Sequence, residues 1–209
     1  LLFPLISLSQ IDSKQHDQLI LRGGILINST GAPPIGPVDI VIEKNIITKV
    51  QNVGYPGVPI NENRRPKLSK NGVEINCEGS YIIPGFIDTH GHIGGRSQGA
   101  SPDYVFKLWM AHGITTIREP GGSLSHELKL ELKNKSEKNT IVAPRIIAFS
   151  TFNSRVQSPN EAKEWVRDNA KKGSDGIKFF GAPPEIMQAA IAENKRLGLR
   201  STSHHAQLN

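Results

Sequence analysis

The sequence has 209 residues, of which 37% are hydrophobic and 21% are charged, a balance ordinary for one large globular domain or two smaller ones. Its 25 Lys and Arg residues outnumber the 19 acidic residues, but they are scattered and do not interleave with aromatic side chains as in a nucleic-acid groove. No stretch is long and apolar enough to span a membrane, and the single cysteine, Cys77, excludes an internal disulfide. We therefore expect neither a nucleic-acid partner nor a membrane span.

The first residues form an apolar run, residues 1–6, that is followed by Ser7, Ser9 and Gln10. This is the pattern of a secretory signal peptide whose beginning is absent. We interpret residues 1–16 either as a signal-peptide remnant or as a disordered terminus. The first interpretation predicts a periplasmic or secreted protein, and the second a cytoplasmic one.

Residues 17–80 are predicted to form a small β-sandwich. Runs rich in β-branched residues at 18–27, 38–42 and 46–50 are separated by short Gly, Asn and Pro turns, which predicts hairpins. Residues 54–71 lack apolar periodicity and are predicted to be a loop, and the alternation at 73–77 predicts one more strand.

From residue 81 to 209 short strands alternate with helices. A buried strand is predicted at 82–88, followed by strands at 114–117, 145–149, 176–180 and 199–204. Helices are predicted between them at 102–112, 124–133, 160–171 and 184–197, the third with Asn160 as its N-cap. This alternation predicts an α/β fold of parallel βα units, either a doubly wound sheet or a barrel. A closed (β/α)8 TIM-type barrel needs eight strands, so five units would be an incomplete barrel.

A His-x-His motif ends the first of these strands, in the run from Asp88 to His92. Side chains two apart on a strand point to the same face. His90 and His92 should therefore present two imidazoles to one point at the C-terminal mouth, where barrel active sites lie. Two neutral imidazole nitrogens suit zinc or a similar ion, although the motif alone is weak support for a metal.

The surroundings of this motif resemble the amidohydrolase superfamily. Residues 83–92, Ile-Pro-Gly-Phe-Ile-Asp-Thr-His-Gly-His, resemble the first barrel strand of that family, and residues 21–26, 39–43 and 46–47 resemble its N-terminal sandwich. The resemblance covers nearly the whole chain from Gln18 onward and is to the imidazolonepropionase and Xaa-Pro dipeptidase branch. It implies that the chain is the N-terminal part of a metal-dependent hydrolase, and that His90 and His92 bind the more buried metal ion.

Lys178 is the second candidate ligand. It shares a strand face with Gly176 and Phe180, and an inward lysine at the end of a buried strand is costly unless it is paired or modified. The alternative is a lysine that extends from the strand end to solvent. Because Lys178 lies on the fourth predicted strand, the resemblance implies a carboxylated lysine that bridges two divalent metal ions, with zinc as the expected metal.

His204 is the third candidate, at the end of the fifth strand, where similar proteins place a metal-binding histidine. A slip of one residue in the strand register would exchange His204 for His205, so this choice stays open. Arg118 and Glu119 end the second strand at the same mouth, so either could contact substrate, and Arg118 is our candidate substrate-binding residue. A structural ion pair is the alternative for both.

The resemblance also implies the chemistry. Two metal cations would lower the pKa of a bridging water, and the resulting hydroxide would attack the carbon–nitrogen bond of a small amide or dipeptide-like substrate. The family's general acid–base Asp on the eighth strand, and a further metal histidine on the sixth, are expected beyond residue 209. No catalytic residue is therefore assigned within the chain, and the 209 residues alone are expected to be inactive.

Two alternatives stay open beside this hypothesis. One is a non-catalytic relative that uses the same fold as a binding or structural module. The other is a doubly wound binding protein in which the His-x-His motif is incidental, although the residues after His92 do not follow dinucleotide-binding spacing. The sequence leaves the oligomeric state open, a homo-oligomer included.

Overall fold

The computed structural model describes residues 16–122, 124–152 and 155–204. All but the last residue of the predicted signal-peptide remnant therefore lies outside the described residues. Two compact units divide the chain between Pro84 and Gly85. In the described ranges no helix has the length and apolar character needed to cross a membrane.

The first unit is a five-stranded sheet built around its first strand. The strands are β1 (Gln18–Leu26), β2 (Ile35–Glu43), β3 (Ile46–Asn52), β4 (Val73–Asn76) and β5 (Tyr81–Ile82). β1 pairs antiparallel with β2 and parallel with both β4 and β5, while β3 pairs antiparallel with β2. The sequence prediction of a small β domain at this position is confirmed as one sheet.

Asp39 is the polar centre of this unit. Its side chain is fully buried and accepts hydrogen bonds from Arg22 Nη1 (3.0 Å), from Arg65 Nε (3.0 Å) and Nη2 (3.1 Å), and from the Gly23 backbone N–H (2.9 Å). Burial raises the pKa of Asp39, but the hydrogen bonds from Arg65, Arg22 and Gly23 outweigh it and hold the pKa below its ordinary value. Asp39 thus ties β1 and β2 to the segment that follows β3.

The second unit contains the βα units. Its strands are β6 (Phe86–Asp88), β7 (Ile114–Glu119), β8 (Arg145–Phe152), β9 (Gly176–Phe179) and β10 (Arg200–Ser203). Its helices are α1 (Pro102–Ala111), α2 (His126–Glu137), α3 (Pro159–Lys171) and α4 (Pro184–Arg196). The five strands are parallel and lie side by side in chain order. The α/β prediction is confirmed as a parallel half-barrel of five strands.

Alternate residues of the inner strands point to opposite faces of the parallel sheet. Ile146 and Ala148 of β8 belong to a buried cluster with Phe106 of α1, and Ile177 of β9 packs in a second cluster with Val166 of α3. The residues between them on the strands point away from the helices because side chains alternate along a strand. This leaves Arg118, Phe149, Thr151 and Lys178 for the opposite, inward face.

The predicted buried strand at 82–88 is wrong as one element. Tyr81 and Ile82 pair with β1 in the first unit, whereas residues 86–88 pair with β7 in the second. Pro84, which has no backbone N–H to donate to a ladder, lies between the two pieces. Phe86 is 57% exposed, because β6 is an edge strand of the described sheet.

The helix starts follow simple capping rules, with one correction. The side chains of Ser101, Ser125 and Ser158 each accept a hydrogen bond from a backbone N–H of the first turn. The third of these shows that the predicted N-cap, Asn160, was wrong. Pro159 takes the first helical position instead, which its fixed φ angle favours.

We predict that Asp39→Asn lowers the free energy of unfolding by about 3 kcal/mol at neutral pH, because two arginines lose a buried counter-charge. A pKa held low in the folded state means that this stabilisation is present above the ordinary value of 3.8 and is lost as the pH falls through the folded-state value. The difference between variant and wild type should therefore shrink in acid, as measured by urea unfolding from pH 7 to pH 3.

Glu62→Gln is the matched control, since Glu62 lies 3.3 Å from the same Arg65 but has a side chain that is 74% exposed. It should cost less than about 0.5 kcal/mol. Equal losses in the two variants would contradict the central role of Asp39.

Candidate functional site

His90 and His92 lie in the loop after β6 rather than on the strand, so the strand-alternation argument that paired them was wrong in detail. The loop nevertheless brings them together: their rings meet edge to face, with centroids 5.5 Å apart. The His90 N–H donates to Asp88 Oδ1 (2.8 Å), and the Gly91 N–H donates to the Arg118 carbonyl (3.1 Å). These two bonds fold the loop over the end of the sheet.

Glu119, the last residue of β7, contacts the His92 ring at Nδ1. Its side chain is 1% exposed, and its Oε1 lies 3.2 Å from Nδ1 of His92. This contact leaves Nε2 of His92 free to face another group. The sequence is compatible with either a substrate contact or an ion pair for Glu119, and the structure places its carboxylate against His92.

Lys178 is buried on β9, the fourth strand of the parallel sheet, as the sequence predicted. Within the described residues its Nζ makes no hydrogen bond or ion pair, and it lies 5.5 Å from the centre of the Phe180 ring. Burial lowers the pKa of Lys178, and the positive charge of Arg118 lowers it further. The fold therefore buries this amine with no counter-charge in the described part of the chain.

Arg118 lies on the inward face beside this lysine. Its guanidinium carbon lies 5.6 Å from the centre of the Phe149 ring. Its Nε is buried and has no hydrogen-bond partner among the described residues. An unpaired buried donor of this kind is costly unless a ligand completes it.

His204 follows β10 directly, and its backbone N–H still donates to the Phe179 carbonyl (3.1 Å). Its ring packs edge to face on Phe180, with centroids 4.3 Å apart. His205 lies outside the described residues, so the choice between His204 and His205 stays a prediction.

Basic side chains from several strand ends influence the pKa of His90. The pKa of His90 lies below its ordinary value, first because its ring is partly withdrawn from water and then because basic groups lie nearby. In order of effect these groups are Lys178, His92, Arg118 and His204. Side chains from the ends of β6, β7, β9 and β10 thus share one positively charged region.

The donor set decides how a metal ion would fit. Across the described ranges no three His, Cys, Asp or Glu side chains are placed to hold a metal ion together. Two imidazoles are close, but an ammonium group cannot donate a lone pair, so Lys178 could be a ligand only after modification. The donor atoms of these residues therefore suit a metal ion only if Lys178 is modified.

Solved structures share this fold. The chain matches a Xaa-Pro dipeptidase solved with methionine in its active site, with a TM-score of 0.61 and 20% identity over 90% of this chain and 56% of that one. It matches molinate hydrolase with a TM-score of 0.67 and 16% identity over 93% of this chain and 55% of the other. At these identities the likeness is one of fold.

Sequence matches point to a related group. Adenine deaminase 1 of Oenococcus oeni is 33% identical over 115 residues, which is 54% of this chain and 19% of that protein. Adenine deaminase 2 of Desulfotalea psychrophila is 48% identical over 44 residues, which is 21% of this chain and 7% of that protein. No protein-family model matches the chain. The chain spans about half the length of the matched structures and less than a fifth of these two deaminases.

A small β-sheet unit followed along the chain by a parallel half-barrel of five strands is the fold that this chain shares with the matched structures. The chain shares its fold with these hydrolases and short stretches of sequence with these adenine deaminases. These matches agree with the resemblance drawn from residues 83–92.

We predict that Lys178→Met raises the free energy of unfolding of the metal-free protein by about 1 kcal/mol, because it removes a buried charge that lacks a partner. Urea unfolding in the presence of a chelator measures this.

Lys129→Met is the matched control, since Lys129 is equally buried, at 2% exposure, but donates a hydrogen bond to the Phe149 carbonyl (3.0 Å). It should lose about 1–2 kcal/mol. A Lys178→Met variant destabilised as much as this control would show that Lys178 is an ordinary structural residue.

Proposed function

We propose that the protein is a metal-dependent hydrolase that acts on carbon–nitrogen bonds of small molecules. The observation that carries the proposal is the convergence of basic side chains from four strand ends on one region, with a buried lysine that has no counter-charge among the described residues. Active sites of barrel enzymes lie at this end of the strands. A structural role alone gives no reason to collect these charges.

His90, His92, His204 and a carboxylated Lys178 are the residues that would hold two divalent ions, with zinc the metal best suited to this donor set. Carboxylation of the lysine ammonium releases one proton to free the amine and a second as the nitrogen bonds to carbon dioxide, so that an anionic carbamate replaces the cation. That exchange would turn the repulsion around Lys178 into attraction. When bound, the metal ions supply an activated water and polarise the bond under attack.

Arg118 is the proposed substrate-binding residue. Its buried Nε is without a partner in the described part of the chain, and its charge lies on the same inward face as Lys178. A carboxylate or a carbonyl oxygen of the substrate would satisfy that donor. Hydrogen bonds to a fixed group of this kind orient a substrate before attack.

The matched proteins support cleavage of a carbon–nitrogen bond in general rather than one substrate. One matched structure is named as a Xaa-Pro dipeptidase, and the sequence matches are named as adenine deaminases. Dipeptide hydrolysis and adenine deamination both place a water oxygen on a carbon that loses nitrogen. A small amide or dipeptide-like compound is the substrate class proposed first.

Adenine deamination is the second candidate, and one observation favours it. Sequence identity to adenine deaminase 1 of Oenococcus oeni reaches 33% over 115 residues, above that of the matched structures described here. A neutral purine would need no cationic anchor for a carboxylate. The response of Arg118 variants therefore separates the two candidates.

We predict that the full-length gene product binds about two equivalents of zinc or a similar ion, and that His90→Ala loses half of it or more. Inductively coupled plasma mass spectrometry after dialysis measures the stoichiometry. The control is His112→Ala, because His112 caps α1 with its Nδ1 2.8 Å from the Leu108 carbonyl and lies outside the cluster. A folded protein without stoichiometric metal would contradict the proposal.

We also predict that Arg118→Met raises the KM for a dipeptide with a free carboxylate by about tenfold or more, through loss of a charged hydrogen bond. Metal content should stay at the wild-type level. The exposed Arg145→Met variant, on the neighbouring strand β8, serves as the control. An unchanged KM for dipeptides, together with turnover of adenine, would instead favour deamination.

A further inference from the structure

We propose that Glu119 is a positioning residue that fixes the ring orientation and the tautomer of His92, so that the proton is on Nδ1 and the lone pair is on Nε2. The inference rests on the proposed function only in naming a metal ion as the group that Nε2 would meet. The tautomer itself is a property of the metal-free protein and can be measured there.

Among the described residues, the hydrogen bonds of Glu119 come from two loops. Oε2 accepts the backbone N–H of Ile93 (2.8 Å), and Oε1 accepts the backbone N–H of Gly121 (2.8 Å) and that of Gly122 (2.5 Å). Oε1 is also the oxygen 3.2 Å from His92 Nδ1. One buried carboxylate therefore joins the loop after β6 to the loop after β7.

These contacts determine the direction of the hydrogen bond to His92. Three backbone N–H groups can only donate, so the group that receives them is an acceptor at both oxygens. Oε1, the oxygen that faces His92, already accepts two backbone N–H groups, so it is not placed to direct a hydrogen of its own at the imidazole. Nδ1 of His92 must then be the donor, and in the neutral ring the lone pair lies on Nε2.

The two glycines after β7 allow the backbone to approach the Glu119 carboxylate because they lack side chains. A Cβ on Gly122 would lie 3.1 Å from both carboxylate oxygens of Glu119 and 3.1 Å from His92 Nδ1. Gly121 has a φ of +115°, which residues with a side chain rarely adopt, and a Cβ there would collide with Thr151 Oγ1. The backbone can approach the carboxylate closely only because both positions lack side chains.

A carboxylate behind a histidine also makes that histidine a better ligand. Metal-binding histidines commonly donate their second ring N–H to a carboxylate, which fixes the ring and raises its basicity. Removal of such a partner typically weakens metal binding about 10-fold to 100-fold. A carboxylate that served only to tie the two loops together would affect stability but not the imidazole.

The test uses the full-length protein labelled with 15N in its histidine side chains, with metal removed by a chelator. Two-dimensional spectra that correlate ring nitrogens with carbon-bound hydrogens distinguish the two tautomers. The His92 signals are assigned by their loss in His92→Asn. We expect the Nδ1–H tautomer in the wild type, and a predominantly Nε2–H ring there would overturn the inference whatever the variants do.

Two variants at Glu119 then separate positioning from stability. Glu119→Gln replaces one acceptor by an amino group, so we expect Nε2–H signal to appear and zinc affinity to fall about tenfold or more. Glu119→Asp keeps a carboxylate, so it should retain the Nδ1–H tautomer and recover most of the affinity. The exposed Glu185→Gln is the charge-matched control.

The outcomes also distinguish this inference from the proposed function. Glu119 variants that keep the wild-type tautomer and zinc affinity, and lose only stability, would overturn the positioning role while leaving the metal site intact. A wild type with the Nδ1–H tautomer that binds no zinc would retain the positioning role and remove the proposed hydrolase. If Glu119→Gln does not fold, the wild-type spectrum alone decides.

Discussion

The buried ammonium of Lys178 is the feature on which the arrangement of the second unit depends. Lys178 is 2% exposed, has no ion pair among the described residues, and lies close enough to Arg118 for the two charges to repel. A fold that is only marginally stable tolerates such a cost where function requires it. The strands around it are otherwise ordinary, with apolar residues toward the helices.

Glu119 is a second buried charged group of this unit, and its position is informative. It does not neutralise Lys178 but turns toward the backbone N–H groups of two loops and toward His92. Its negative charge is thus used to order the ring that faces the site. The charge of Glu119 also raises the pKa of Lys129, which burial lowers. The inward face keeps its excess of positive charge as a result.

Much of this architecture could be predicted from sequence because it depends on local patterns. The alternation of strands and helices from residue 114 onward and the inward position of Lys178 follow from side-chain periodicity. The division at Pro84 was missed because the apolar run of residues 82–88 continues across two units. Asn160 and Ser158 are both good capping residues, and Pro159 decides between them through its own preference for the first turn.

The contact between Glu119 and His92 could not be predicted with the same means. It joins residues 27 positions apart, and it depends on the path of two loops that carry no periodic signal. The pair Gly121 and Gly122 was the available clue, since two glycines after a strand-end acid permit a close approach of backbone to carboxylate. The convergence of His90 and His92 was predicted for the wrong reason, because both lie beyond the strand that was thought to align them.

A single experiment can directly test the proposal that the side chains of His90, His92, Lys178 and His204 belong to one metal centre. Crystals of the full-length protein grown with zinc, measured on both sides of the zinc absorption edge, would locate the metal by anomalous scattering. We predict two peaks within bonding distance of these residues, with added density on the Lys178 nitrogen for a carbamate. A well-ordered site with no anomalous peak there, or zinc bound only elsewhere, would contradict the account.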